Sequence, residues 1–190
     1  YTNPLNPISH TPWGRSVAAT AELFERTTRR YGKPQFGLTK TAVDWKTVDV
    51  SEKTVWSKPF CNMIRFERAV PAGRKPDPKL LIVAPMSGHY ATLLRGTVEA
   101  MLPYADVHIT DWVDARMVPV AEGSFDLDDY IDYIIEMFHA LGPDTHVMAV
   151  CQPSVPVLAA EGLVEKPGGS LVPSTLALLG RSAETRPHPP

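Results

Sequence analysis

Apolar residues along the chain change their spacing twice. Between residues 13 and 31, Val17, Ala18, Ala21, Phe24 and Tyr31 recur at helical intervals, with Arg15, Glu22, Glu25, Arg26 and Arg29 between them. That spacing predicts a helix over 13–31, stopped by Gly32. From 41 to 70 the interval shortens. Val43, Trp45, Thr47 and Val50 interleave with Ala42, Asp44, Lys46 and Val48, followed by Val55 and Trp56 and by the run 63–66. This predicts two or three antiparallel strands of a meander. The stretch PAGRKPDPK at 71–79 reads as an exposed loop. Beyond it, compact apolar runs at 80–84, 105–110, 145–150 and 174–179 predict buried strands, and the segments 91–101, 127–141 and 156–164 predict helices.

Strands alternating with helices of this length form right-handed βαβ units, and therefore an open parallel sheet covered on both faces. An antiparallel lead-in followed by such a run is the order of an α/β-hydrolase-like sheet. Residues 1–40 are expected to form an N-terminal arm and helix, with three prolines before the helix, and residues 41–190 an α/β-hydrolase core. That core reads as incomplete, because the pattern stops at the strand after Cys151.

Composition narrows the function classes. The chain has 190 residues, 44% of them hydrophobic, and a net charge of -2. That is enough for one sizeable core, and it lacks the electrostatic footprint of a nucleic-acid binder. The apolar runs fall far short of the roughly 18 residues that span a bilayer, so no transmembrane segment is expected. The two cysteines, Cys61 and Cys151, stand on unrelated elements, which argues for a reducing compartment and against a disulfide framework. No cofactor or metal is called for, and a homo-oligomer remains open.

Candidate chemistry gathers at THVMAVCQPSVPVLAA, residues 145–160. An apolar run ends on Cys151 and a helix begins just after it, which is the layout of a nucleophile elbow. Such a turn lifts the nucleophile out of the sheet and frees the next backbone N–H, here that of Gln152, to stabilise an oxyanion. The positive end of the following helix favours an ionised sulfur. Against this stands the ordinary fate of a cysteine at a strand end, which is burial in a core. The elbow pattern wants small residues two before and two after the nucleophile. Ala149 fits, and Pro153 is tolerated in a helix's first turn. Ser154, the competing hydroxyl, is expected to cap or solvate that turn, and Cys61 to be inert in the lead-in.

Two loops fall at strand carboxyl ends, where ligands gather in open parallel sheets. In PMSGHY, residues 85–90, Met86 and Ser87 are candidates for the second oxyanion N–H, with Gly88 providing backbone freedom. His89 is a candidate for the site or its groove, although a histidine at a helix start is more often a surface residue. In the long loop 111–123, Trp112 and Met117 are candidates for a substrate groove. Pairing among Asp111, Asp114 and Arg116 is the plainer expectation there. The acidic residues that open the helix at 127 read as dipole partners.

With LLIVAPMSGHYATLLRGTVEAMLP, HITDWVDARMVPV, FDLDDYIDYI and HVMAVCQPSVPVLAA in view, and HTPWGRSVAATAELFERTTRRYGKPQFGL near the start, the chain resembles intracellular poly(3-hydroxybutyrate) depolymerases. The resemblance implies a cysteine in a VCQPS-type box, at Cys151, attacking ester bonds of a polyester held in cytoplasmic storage granules. The granule surface is then the expected partner and location. The likeness thins beyond Ala160, and the family's acid and histidine have no counterpart here. Of the six histidines, His188 alone follows Cys151, in the tail TRPHPP. Two further readings stand beside this one. One is a polyester synthase-like acyltransferase, which also uses a cysteine but carries glycines at the positions of Ala149 and Pro153. The other is a non-catalytic granule-binding fragment.

Overall fold

The computed structural model describes residues 11–29, 32–86, 90–165 and 172–180. The chain divides into two compact units, residues 1–34 and 35–190.

The first unit contains helix α1, Pro12–Thr28. Thr11 caps it by accepting the Gly14 N–H at 3.0 Å, and Pro12 takes the first helical position, where a missing N–H costs nothing. The helix ends before the expected stop at Gly32. Thr27 and Thr28 turn their hydroxyls back onto the carbonyls of Leu23 and Phe24, and Arg29 is already extended. Paired β-branched residues whose hydroxyls reach into the backbone are poor helix formers, and the turn yields there. Tyr31 lies outside the described residues.

The second unit is built on a seven-stranded sheet: β1 Lys40–Val43, β2 Lys46–Lys58, β3 Cys61–Arg68, β4 Lys79–Val83, β5 Asp106–Trp112, β6 Thr145–Val150 and β7 Thr175–Leu179. Their spatial order is β1-β2-β3-β5-β4-β6-β7. The lead-in resolves into three antiparallel strands, β3 runs antiparallel to β5, and β5, β4, β6 and β7 are mutually parallel. This is the expected mixed α/β sheet, antiparallel at one side and parallel through the rest.

Period-two alternation sends successive side chains to opposite faces, and each face has its own core. Ile82, Val107 and Ile109 pack with Ala91, Leu94, Val98 and Leu102. The last four come from a short 3₁₀ turn at Ala91–Leu94 and from helix α2, Arg95–Met101, with the residue that ends it. On the other face Leu81, Val83, Val147 and Ala149 meet α3, Leu127–Leu141, and α4, Ser154–Val164. Phe36 and Leu38, just past the unit boundary, are buried in the first of these cores.

One boundary differs in a way that matters for function. Strand β5 continues through Asp111 and Trp112, which were expected to open the long loop 111–123. Their register partners are Asn62 and Cys61 on β3, and the Val113 N–H reaches the Phe60 carbonyl at 2.9 Å. Pairing with a strand some fifty residues away holds them in the sheet, and both are buried.

Candidate active site

Strand β6 and helix α4 are joined by Cys151, Gln152 and Pro153. Cys151 has φ of +68° and is exposed. A side chain with a Cβ in the left-handed region costs about 1–2 kcal/mol, so the conformation persists only because its surroundings impose it. Two hydrogen bonds do so. The Cys151 N–H donates to the Leu179 carbonyl on β7 at 2.7 Å, which extends the parallel ladder by one rung. Its carbonyl accepts the Ser154 N–H at 3.2 Å, which closes the turn into α4. The chain reverses from strand to helix at the cysteine, and the sulfur is left at the carboxyl end of the sheet.

Helix α4 starts two residues earlier than the spacing predicts. Pro153 takes helical angles as the residue before it, and Pro156 falls in the first turn, where proline needs no hydrogen-bond partner. Both prolines lack an N–H, so the amides left to face an anion at this helix start are those of Gln152 and Val155. Ser154 does not cap the helix. It is fully buried, and its hydroxyl finds no partner among the described residues.

Across from the elbow, β4 ends at Val83 and the chain continues through Ala84 and Pro85 to Met86. Ala84 is clamped from both sides by β5. Its N–H donates to the Thr110 hydroxyl at 2.8 Å, and its carbonyl accepts the Trp112 indole N–H at 2.9 Å. The groove role expected of Trp112 is therefore corrected. The residue is 7% exposed, with its ring packed among Phe125 and Tyr130, and it fixes the path of the β4 connection from below. Alternation along β5 puts residues 110 and 112 on one face; which backbone they reach depends on strand order. Met86, 36% exposed, donates its N–H to the Gln152 side-chain oxygen at 3.1 Å. The elbow and the β4 connection are thus in direct contact. Ser87 and His89 lie outside the described residues.

Met117 is 68% exposed in the connection from β5 to α3. Nearby in the chain, Asp114 and Arg116 pair at 2.6 Å, and hydrogen bonds from Arg116 lower the Asp114 pKa below its ordinary value. Asp111 stays inside the sheet and takes no part in that pair. Met86, Met117, Val120, Leu127 and Val155 are all exposed, and all stand on segments leaving the carboxyl ends of β4, β5 and β6.

The described histidines lie elsewhere. His108 is buried within β5, His139 sits in the last turn of α3, and His146 is near the start of β6, its ring nitrogen 2.8 Å from the Thr175 hydroxyl. Five residues of strand put His146 about 16 Å from the elbow. Among the described residues, no group of three or more His, Cys, Asp or Glu side chains is arranged to hold a metal. No described helix is long and apolar enough to cross a membrane.

No family model matches the chain, and no curated protein does. Two of the solved structures to which the chain shows a weak likeness are the following. A predicted CIB-like hydrolase from Thermoplasma acidophilum covers 69% of this chain and 62% of its own, at 11% identity and a TM-score of 0.40. Vibralactone cyclase covers 94% of this chain and 52% of its own, at 12% identity and a TM-score of 0.40. The chain thus spans less than two thirds of the length of either. Similarity at this level decides nothing about chemistry, and neither sequence comparison returns the depolymerase family that the motifs resemble.

Proposed function

We propose that the chain is a thiol-dependent carboxylic ester hydrolase acting on an aliphatic polyester of the poly(3-hydroxybutyrate) kind. The observation that carries the reading is the placement of Cys151: an exposed cysteine with φ of +68° on the turn from β6 into α4. A core cysteine has no use for that strain. A nucleophile does, because the conformation holds its side chain clear of the sheet with a backbone N–H beside it.

The roles follow from position. The Cys151 sulfur attacks the ester carbonyl, and the N–H groups of Gln152 and Met86 receive the negative charge that develops on its oxygen. The polyester as substrate rests on the VCQPS-type box and its companion motifs. The exposed apolar side chains at this end of the sheet, Met86, Met117, Val120 and Val155, suit a chain of methyl-bearing esters better than a charged substrate. Water is delivered to the acyl-enzyme by a base. The described residues place no histidine at this end of the sheet, and His89, in the β4 connection, lies outside them.

Incubation with amorphous 3-hydroxybutyrate oligomers tests the reading. A mass increment of one hydroxybutyryl unit on Cys151, with release of hydroxy acids, is expected, and Cys151→Ala should abolish both. Growth of a polymer from a hydroxybutyryl thioester would move the chain to the acyltransferases. Binding to granules without any acyl adduct would leave it a non-catalytic granule protein.

A further inference from the structure

The side chain of Gln152 sits where the reaction needs an empty donor. Its amide oxygen accepts the Met86 N–H at 3.1 Å, the distance at which an oxyanion donor would hold its charge. An amide oxygen and an ester carbonyl oxygen are acceptors of the same kind, and a single N–H makes one good bond at a time. The two partners differ in freedom. Met86 follows Ala84, whose N–H and carbonyl are both held by β5, through Thr110 and Trp112. Gln152 is half-buried at the surface end of the turn, and its amide hangs on rotatable bonds. The chain leading to the donor is held at Ala84, whereas the acceptor hangs on a side chain that can rotate.

We infer that the Gln152 side chain is the resident ligand of the second oxyanion donor, and that an ester reacts after its carbonyl oxygen has displaced the Gln152 oxygen from the Met86 N–H. The inference rests on the reading of Cys151 as an ester nucleophile and adds a specific residue to it. The covalent step is balanced as follows. The thiolate forms a C–S bond to the carbonyl carbon while the C=O π pair moves onto the oxygen, which then accepts from Met86 and Gln152. Collapse breaks the ester C–O bond, and the departing alkoxide takes a proton from water. Water later cleaves the thioester to the acid and restores the thiol.

The backbone N–H of Gln152 survives any substitution of its side chain, so the side chain can be tested alone. In Gln152→Ala, acylation of Cys151 by a nitrophenyl ester should be roughly threefold to tenfold faster, the range a net neutral hydrogen bond is worth. An aldehyde that forms a hemithioacetal should bind tighter by a similar factor. Alkylation by iodoacetamide needs no oxyanion donor and should stay at the wild-type rate. In Gln152→Glu, a carboxylate would hold the Met86 N–H more strongly and oppose the developing charge, so acylation should fall at least tenfold. Slower acylation in Gln152→Ala at an unchanged alkylation rate would overturn the inference, because the side chain would then be assisting. Equal acylation rates in wild type and both variants would overturn it too, while leaving Cys151 a nucleophile. Absence of ester acylation in all three proteins, with alkylation intact, would overturn the ester-hydrolase reading itself and the inference with it.

Discussion

Two cysteines show how far identical side chains are separated by their places in the sheet. Cys61 is 0% exposed at the start of β3, with its sulfur 3.3 Å from the Asn62 carbonyl, whereas Cys151 is exposed at a strained turn. A thiol must be reached and ionised to react, so iodoacetamide should label Cys151 in the folded protein and spare Cys61. Peptide mapping after brief labelling at neutral pH checks this, and equal slow labelling of both would make Cys151 an ordinary structural residue. The strain yields a second outcome. Glycine at position 151 would relieve the φ of +68°, and after its own entropic cost it should raise stability by about 0.5–1 kcal/mol while abolishing acylation. Cys151→Ala keeps the Cβ and should abolish acylation without that gain. Urea unfolding of the two variants side by side separates backbone strain from the chemistry of sulfur.

At the scale of elements, legibility follows the range of the interactions that set each boundary. Helix α3 is found over the predicted 127–141 because both its ends are written locally. Asp126 accepts the N–H groups of Asp128 and Asp129, Asp129 returns a bond to the Asp126 N–H, and Gly142 leaves the helix with φ of +76°. Asp126→Ala should therefore cost about 1 kcal/mol, read as a lower urea midpoint at an unchanged slope. Strand β6 and the turn at Cys151 were legible for the same reason: an apolar run, a cysteine and a proline lie side by side. Trp112 was not. Its placement depends on β3 pairing with β5, and its indole serves the carbonyl of Ala84 just past β4, a relation no local pattern encodes. The contact from Met86 to the Gln152 side chain spans sixty-six positions and was equally out of reach. Ser154 has the residue type of a cap at the right place, yet the turn buries its hydroxyl.

For the whole second unit, stability should fall toward acid in two separable steps. The lower one comes from a network across the amino end of the parallel strands. Arg68 and Arg74 donate to one oxygen of Asp77 at 2.7 and 2.5 Å, Arg74 also reaches Asp44 at 2.7 Å in the turn between β1 and β2, and Arg68 holds the Leu102 carbonyl after α2 at 2.9 Å. Burial raises the Asp77 pKa, but the hydrogen bonds from Arg74 and Arg68 outweigh it and leave it below the ordinary value. A carboxylate depressed in the fold contributes stability that is present above its unfolded pKa of about 3.9 and lost as pH falls through the folded value. The upper step comes from His108, 4% exposed in β5. Burial is the main cause that lowers its pKa; the Asp106 charge and carbonyl push the other way, and Arg65 and Lys79 add to the lowering. The unfolded chain therefore takes up a proton below about pH 6.5 that the folded chain refuses, so stability declines from there downward. His108→Gln should flatten the urea midpoint between about pH 6.5 and 5 and leave the decline below pH 4, whereas Asp77→Asn should do the reverse and lower stability at neutral pH by stripping two guanidiniums of their shared counter-charge. If the upper decline persists in His108→Gln, burial of that imidazole is not its source.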